Sequence, residues 1–186
     1  FTEFCLKNRI TNKGNQLNQI ISYLEKRNLL PLYSNSESFP YIIKIFGYAL
    51  GDGSIPKSFN CLSLWGKIDD LNLIKKDLEK IGVNSIIVKR KRTYKLINSY
   101  GKKYEFERIE YCLRINKSFA LLLGALGYPI GKKTETKFCL PKWLKNLPLW
   151  QKRLFLATFF GAELSSPRAF YKFNPTALTL NINKNK

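Results

Sequence analysis

The stretch FGYALGDGSI, residues 46–55, places three glycines and one acid at the end of a short apolar helix. Glycine destabilises a helix interior and is favoured where two backbones touch or where the chain turns. Gly47, Gly51 and Gly53 therefore predict a close backbone contact that leads directly into a turn. Asp52 is left at the helix terminus, where its carboxylate is a candidate functional group.

The charge of the chain is strongly positive. Its 186 residues include 32 basic and 13 acidic side chains, a formal net charge of +19, and no histidine. A basic surface binds polyanions by releasing condensed counterions, so nucleic acid is the predicted partner. An anionic membrane surface is the weaker alternative, because the basic residues do not concentrate on one face of an amphipathic helix. Without histidine, general-base catalysis by an imidazole is excluded for this chain.

Other bulk features bound the class of protein. The apolar share of 45% is ordinary for a globular protein, and no apolar run approaches the length that spans a bilayer. We therefore expect a soluble protein. The chain begins with Phe1 and contains no methionine, so we also expect a piece of a longer product. Its four cysteines are scattered and lack metal-ligand spacing, so we expect them to be reduced and the protein to be cytoplasmic.

Hydrophobic periodicity predicts an alternation of helices and strands. Residues 1–40 are predicted to form a polar start, a helix and a linker. An apolar helix follows from Tyr41 to the glycine turn, and then a hairpin within 54–65 and an amphipathic helix within 69–82. Two strands, over 85–98 and 103–115, and two further apolar helices complete the predicted order. We expect Asp69 or Asp70 to cap the amphipathic helix and Gly82 to end it. In the second long strand, alternation places Ile109 and Leu113 on a core face and Arg108 and its neighbours on a charged face.

The order of elements restarts near the second apolar helix, which predicts an internal repeat. The stretch LATFFGAELS, residues 156–165, is followed by alternating apolar residues, as FGYALGDGSI is. In this alignment Glu163 stands where Asp52 stands, and Ala162 matches Gly51. Two acids therefore end two equivalent helices.

At these residues the chain resembles the LAGLIDADG homing endonucleases, particularly their archaeal and intein-associated branch. The motifs are IFGYALGDG, residues 45–53, and LATFFGAEL, residues 156–164, and the segment LGYPIGKKTETKFCLPKWL, residues 126–144, is similar to the family's connection between them. The resemblance covers about Tyr41 to the C-terminus. It implies an α+β fold, with an antiparallel β saddle, helices packed on one face, and a pseudo-twofold repeat whose second copy is incomplete.

The resemblance also implies an active site. The two motif helices would pack side by side and bring Asp52 and Glu163, as catalytic acids, to the middle of a DNA-facing saddle. Neighbouring carboxylates repel each other unless divalent cations bridge them. The implied cofactor is Mg²⁺, and its implied ligands are Asp52, Glu163, Gly51 and Ala162. The residues of the implied helix interface are Gly47, Ala49, Gly51, Thr158 and Ala162.

The long strands would supply DNA contacts, because their charged face would point into the saddle. The expected contact residues are Ser63, Trp65, Arg90, Arg92, Arg108 and Arg114, with Lys102 and Lys103 at the hairpin tip. Arginine and lysine contact phosphates more often than bases, so no base-specific role is assigned. We also expect a basic side chain near the acids, Lys137 or a strand lysine, to assist.

These inferences give one functional hypothesis and one alternative. The predicted divisions are an N-terminal helix and linker over 1–40, a first repeat over 41–147 and a truncated second repeat over 148–186. The function implied is a site-specific, Mg²⁺-dependent double-strand DNA endonuclease, monomeric with two pseudo-repeats at full length. Thr158 and Leu164 replace small residues of the family motif. The alternative is therefore a non-catalytic nucleic-acid binder on the same fold, a transcription regulator or an intron maturase.

Overall fold

A computed structural model describes residues 1–97, 99–133, 135–136 and 138–163, with only the backbone of Glu163, and the backbone of 169–170 and 174–175. Within these residues the elements are, in chain order, α1 (Thr2–Lys7), a 3-10 turn (Lys13–Asn15), α2 (Gln16–Glu25), α3 (Phe39–Asp52), β1 (Gly53–Ser54), β2 (Leu62–Gly66), α4 (Ile68–Lys80), β3 (Ser85–Ile97), β4 (Lys103–Ile115), α5 (Lys117–Ala125), α6 (Lys142–Lys145), α7 (Leu149–Glu163), β5 (Ala169–Phe170) and β6 (Asn174–Pro175).

Four strands form one antiparallel sheet in the order β1-β2-β4-β3. One face of this sheet is buried: Leu62, Leu64, Leu113 and Ile115 join a single core with residues of α3 and α5. The prediction of an α+β fold with an antiparallel sheet and helices on one face is confirmed at this level. The pseudo-twofold repeat stays a prediction. The strands expected after the second motif lie mostly outside the described residues, apart from the short antiparallel pair of β5 and β6.

Helix α3 occupies the centre of the core. Its apolar side chains from Phe39 to Leu50 are almost all buried, and Gly47 and Gly51 are buried with them. Phe46 contacts three aromatic rings from distant parts of the chain, with ring centroids 5.5 to 6.4 Å away, contributed by Tyr128, Trp143 and Phe155. The segment between the two motifs and α7 therefore both pack on α3, which fixes the position of its C-terminal end.

Two local predictions are wrong. The first residues are not only a polar stretch, since α1 forms there and buries Cys5, and Phe4 packs edge-on against Phe59 with 5.9 Å between ring centroids. Helix α4 begins at Ile68 with Lys67 at the N-cap, two residues before Asp69, so neither Asp69 nor Asp70 caps it as predicted. Asp69 and Asp70 lie in its first turn, where negative charge interacts favourably with the helix dipole.

The long hairpin formed by β3 and β4 extends beyond the core. Near its base, Leu113 and Ile115 are buried and Arg114 is exposed, as predicted, but Cys112 on the charged side is buried as well. Ile109, predicted on the core face, is 47% exposed, because β2 pairs with β4 only as far as Tyr111 and the core ends there. Among the described residues, the helices are too short or too polar to cross a membrane.

Candidate active site and nucleic-acid face

Asp52 is the last residue of α3, and its side chain is exposed. It opens into a groove of about 970 Å³ that is lined by the ends of α3 and α7, the start of α4 and residues of β2, β3 and β4. The groove is lined by Tyr48, Asp52, Trp65, Gly66, Lys67, Ile68, Asp69, Asp70, Arg90, Arg92, Arg108, Ile109, Glu110, Tyr111, Gly161 and Ala162. The structure therefore brings the first motif acid together with three of the predicted arginines.

The carbonyl groups at the end of α3 are held by side chains from the connecting segment. The Tyr128 hydroxyl donates to the Ala49 carbonyl at 2.8 Å. The Lys133 ammonium donates to the Leu50 carbonyl at 2.8 Å and also to the Gly51 carbonyl. A helix C-terminus carries partial negative charge, which disfavours a carboxylate and favours a cation. Lys133 thus offsets the unfavourable placement of Asp52 at this end.

Lys133 lies at the candidate site, and sequence reasoning missed it. The prediction named Lys137, which lies outside the described residues, or a strand lysine. The available signal was the Gly-Lys-Lys turn at residues 131–133. Gly131 has a φ of +87°, which favours glycine. Its N–H donates to the Ile55 carbonyl at 2.8 Å, and this hydrogen bond holds the turn beside the end of β1. This attachment directs Lys133 to the helix end, while Lys132 turns outward to Glu135 at 2.9 Å.

Tyr48 joins the C-terminal part of α3 to β2 through a hydrogen bond to Trp65. Burial raises the pKa of its hydroxyl well above the usual range, and the negative charges of Asp52 and Asp70 raise it further. The hydroxyl therefore stays protonated and donates to the Trp65 carbonyl at 2.9 Å. A Cβ on Gly66 would lie 2.0 Å from the Tyr48 hydroxyl oxygen, so a side chain at this position would displace that hydroxyl from its hydrogen bond.

The two motif helices touch through the first glycine of the motif. A Cβ added to Gly47 would lie 2.4 Å from the Thr158 hydroxyl oxygen and 2.6 Å from the Phe155 carbonyl oxygen. The Thr158 hydroxyl itself stays within hydrogen-bonding distance of the Leu154 and Phe155 carbonyls, at 3.1 Å from each. Of the other predicted interface residues, Ala49 and Gly51 are buried and Ala162 is half-buried.

The second motif acid is placed only by its backbone. Glu163 is the last residue of α7, as Asp52 is of α3. Its side chain lies outside the described residues. Ala162, the residue before it, lines the same groove as Asp52. The two helix ends therefore open into one groove.

The oxygen atoms at this groove are the type that Mg²⁺ prefers. Asp52 is exposed, and the Gly51 carbonyl that accepts from Lys133 is a second oxygen atom at this helix end. Within the described residues, no group of three or more histidine, cysteine or acidic side chains could hold a metal ion. The oxygen atoms at the α3 end fit a Mg²⁺ ion chemically, and a metal shared with Glu163 and Ala162 stays a prediction.

The predicted DNA-contact residues share one face of the sheet. The register aligns Ser63 with Arg114, Trp65 with Cys112, Arg90 with Glu110, and Arg92 with Arg108. Side chains that are paired in this way point to the same side of the sheet. We call this side the arginine face. Its members among the predicted residues are Ser63, Trp65, Arg90, Arg92, Arg108 and Arg114.

Three residues of the hairpin, Lys102 in the turn and Lys103 and Glu110 in β4, modify this picture. Lys103 pairs with Ile97 on the opposite side of the hairpin, and Lys102 lies over the Tyr104 ring at 5.5 Å from its centroid. Glu110, which sequence reasoning did not single out, lies on the arginine face, 3.8 Å from the Arg92 guanidinium. The Tyr94 hydroxyl donates to Glu110, and this hydrogen bond raises the pKa of Tyr94.

This chain is similar in sequence to parts of several much longer proteins. The chain is 42% identical over 175 residues to a tRNA-splicing ligase RtcB of Methanocaldococcus jannaschii, covering 90% of this chain and 18% of that protein. It is 35% identical over 159 residues to the DNA-directed RNA polymerase subunit Rpo1N of the same organism, covering 83% and 12%. It is 32% identical over 191 residues to the replication factor C small subunit of that organism, covering 97% and 10%.

The chain thus spans less than a fifth of each of these relatives. No family model matches the chain. Among solved structures, the homing endonuclease I-WcaI bound to its DNA recognition sequence is similar at 18% identity and a TM-score of 0.41, covering 80% of this chain and 65% of that one.

Proposed function

We propose that this chain is the nuclease part of a homing endonuclease of the LAGLIDADG type, which cuts double-stranded DNA at a specific site. The observation that carries the proposal is the position of Asp52. Its exposed carboxylate lies at the end of a motif helix, in a groove that Arg90, Arg92 and Arg108 also line. A carboxylate for hydrolysis and cations for the phosphate backbone therefore meet in one place.

The similarity to three differently named proteins supports a mobile element. One chain matches a small part of a ligase, of a polymerase subunit and of a replication factor. These proteins share no activity by name, so the common part is best explained by an insertion carried into each. We infer that the chain derives from an intein-associated element, as its motifs predict, and that the activities named for the relatives do not belong to it.

Within the proposed site each residue has a physical role. The arginine face would bind the duplex backbone and orient the scissile phosphate toward Asp52. Lys133 would place a positive charge at the α3 end, where it can stabilise negative charge that develops on the phosphate. Mg²⁺, held by Asp52, Gly51, Glu163 and Ala162, would supply a nucleophilic water and charge stabilisation when bound. Tyr48 and Tyr128 would keep the helix end in position.

The proposal is tested by cleavage of a randomised long-duplex library with Mg²⁺, and with Ca²⁺ as a control. We expect recurring cuts with Mg²⁺ that are lost in Asp52→Asn and in Glu163→Gln. Lys133→Met should lower the cleavage rate by about 100-fold, the scale of losing one electrostatic contact to the transition state. Lys132→Met is the matched control, because the Lys132 ammonium pairs with Glu135 on the surface, away from the α3 carbonyls, and its loss should leave the rate unchanged.

A different result would identify the alternative. Tight, salt-sensitive binding of duplex without any cut, unchanged in Asp52→Asn, would show a non-catalytic nucleic-acid binder. Preference for RNA over DNA in that case would favour an intron maturase over a regulator. Absence of any salt-sensitive binding to nucleic acid would reject both.

A further inference from the structure

The outer end of the long hairpin carries an apolar surface that the proposed nuclease site does not use. β2 stops pairing with β4 at Tyr111, so residues 90–97 and 103–110 form a two-stranded ribbon. On the arginine face of this ribbon, the two cross-strand pairs beyond Arg92 are apolar. We call these four residues the distal cluster: Tyr94, Phe106, Leu96 and Tyr104.

Side chains of the distal cluster contact one another and Arg92, although the cluster lies outside the core. The Tyr94 and Phe106 rings stack with 5.5 Å between centroids and an interplanar angle of 17°. The Arg92 guanidinium lies 5.4 Å from the centre of the Tyr94 ring. Leu96, Tyr104 and Phe106 remain 54%, 45% and 44% exposed. This surface is thus built and continuous with the arginines, but it is not covered by any described part of the chain.

The two sides of the ribbon differ in charge. On the opposite side, Lys91 pairs with Glu107 at 2.6 Å and Lys95 with Glu105 at 3.8 Å, so charges there compensate each other. On the arginine face, Glu110 is the acid among the described residues 90–97 and 103–110, beside Arg90, Arg92 and Arg108. A partner on this face must therefore be anionic near the arginines and apolar beyond them.

Duplex DNA meets both requirements in its major groove. That groove accepts a two-stranded β-ribbon, and the apolar group it presents is the C5-methyl of thymine. We propose that the distal cluster contacts thymine methyl groups, so that the outer part of the sequence bound by this hairpin is rich in T·A pairs. The inference rests on the proposed DNA-binding function and adds to it which bases this end of the hairpin selects.

The length of the cluster sets the extent of this preference. From Arg92 to Leu96 is four residues, and a strand rises about 3.3 Å per residue, close to the rise of about 3.4 Å per base pair. The thymines are therefore expected within about four base pairs at the outer end. Base pairs that face the arginines carry no such requirement.

The test compares thymine with uracil, which lacks only the methyl group. Sites selected from a randomised duplex library would first give the preferred sequence, and thymines would then be replaced by deoxyuridine one position at a time. In the outer base pairs, each replacement should weaken binding by about fourfold, because the complex loses the burial of one methyl group. Replacements at positions facing the arginines should leave affinity unchanged.

Variants in the protein complete the test. Leu96→Ser with Phe106→Ser should abolish the difference between thymine and uracil while keeping salt-sensitive binding. Ile97→Ser is the matched control, because Ile97 is 68% exposed at the same end but lies on the opposite side of the ribbon. It should keep the uracil penalty at full size.

Three outcomes separate the possibilities. Normal, salt-sensitive DNA binding with no uracil penalty at any outer position would overturn this inference and leave the proposed function intact. No binding to any duplex would remove the proposed function with it. A change in sedimentation caused by the double variant, without a uracil penalty, would show that the distal cluster is a protein contact instead.

Discussion

The two motif helices end in acids at matching positions, yet they differ in how they are held. α3 is buried along most of its length, and Tyr128 and Lys133 satisfy carbonyls at its C-terminal end. In the described part of α7, Gln151 and Phe155 are buried, whereas Leu149, Trp150 and Leu156 are exposed. The difference shows that the fold of the described residues fixes the Asp52 end, and that α7 is held mainly by its contact with α3.

The largest expected effect lies at that contact. Gly47→Leu places a side chain against the Thr158 hydroxyl and against the Phe155 carbonyl. Overpacking against a backbone atom cannot be relieved by a rotamer change, so we expect a loss of about 3 kcal/mol in the free energy of unfolding. Urea denaturation followed by circular dichroism measures this loss.

The partner of Gly47 offers a second variant that sharpens the result. Thr158→Gly in the Gly47→Ala background removes the clash with the hydroxyl but leaves the Phe155 carbonyl 2.6 Å from the new Cβ. We therefore expect this double variant to remain less stable than Thr158→Gly alone. If the two variants were equally stable, the helices could move apart without loss of stability. The statement that α7 is held mainly by its contact with α3 would then be wrong.

The next effect concerns the carbonyl groups at the end of α3. Tyr128→Phe removes the buried hydrogen bond to the Ala49 carbonyl, but the Gly53 N–H still donates to that oxygen. Since the acceptor keeps a partner, the cost should be about 1 kcal/mol in a thermal or urea unfolding measurement. Tyr33→Phe is the control, because Tyr33 is 62% exposed, and it should be neutral. A neutral Tyr128→Phe would contradict the role assigned to this bond.

The sequence predicted those features that depend on local pattern. The spacing of apolar residues, together with the turn residues, predicted the end of α3 at Asp52. The same signals predicted the bounds of β3 and β4 to within one residue. The arginine face follows from strand alternation, which needs only the register. α1 could not be predicted, because it buries few of its own residues and is stabilised by distant partners such as Phe59. The role of Lys133 could not be predicted either, since a chain turn more than 80 residues away brings it to the α3 carbonyls.

The smallest expected effect tests the exposed side of α7. A Cβ on Gly161 would meet nothing within 4 Å, in contrast to Gly47 on the facing helix. Alanine is more favourable than glycine in a helix interior, so Gly161→Ala should stabilise the protein by about 0.5 kcal/mol. This is less than the full difference between the two residues, because Gly161 lies near the end of α7. Differential scanning calorimetry of the same chain measures the change. A destabilised Gly161→Ala would show that another part of the chain covers this position, so that α7 would be held on two sides as α3 is.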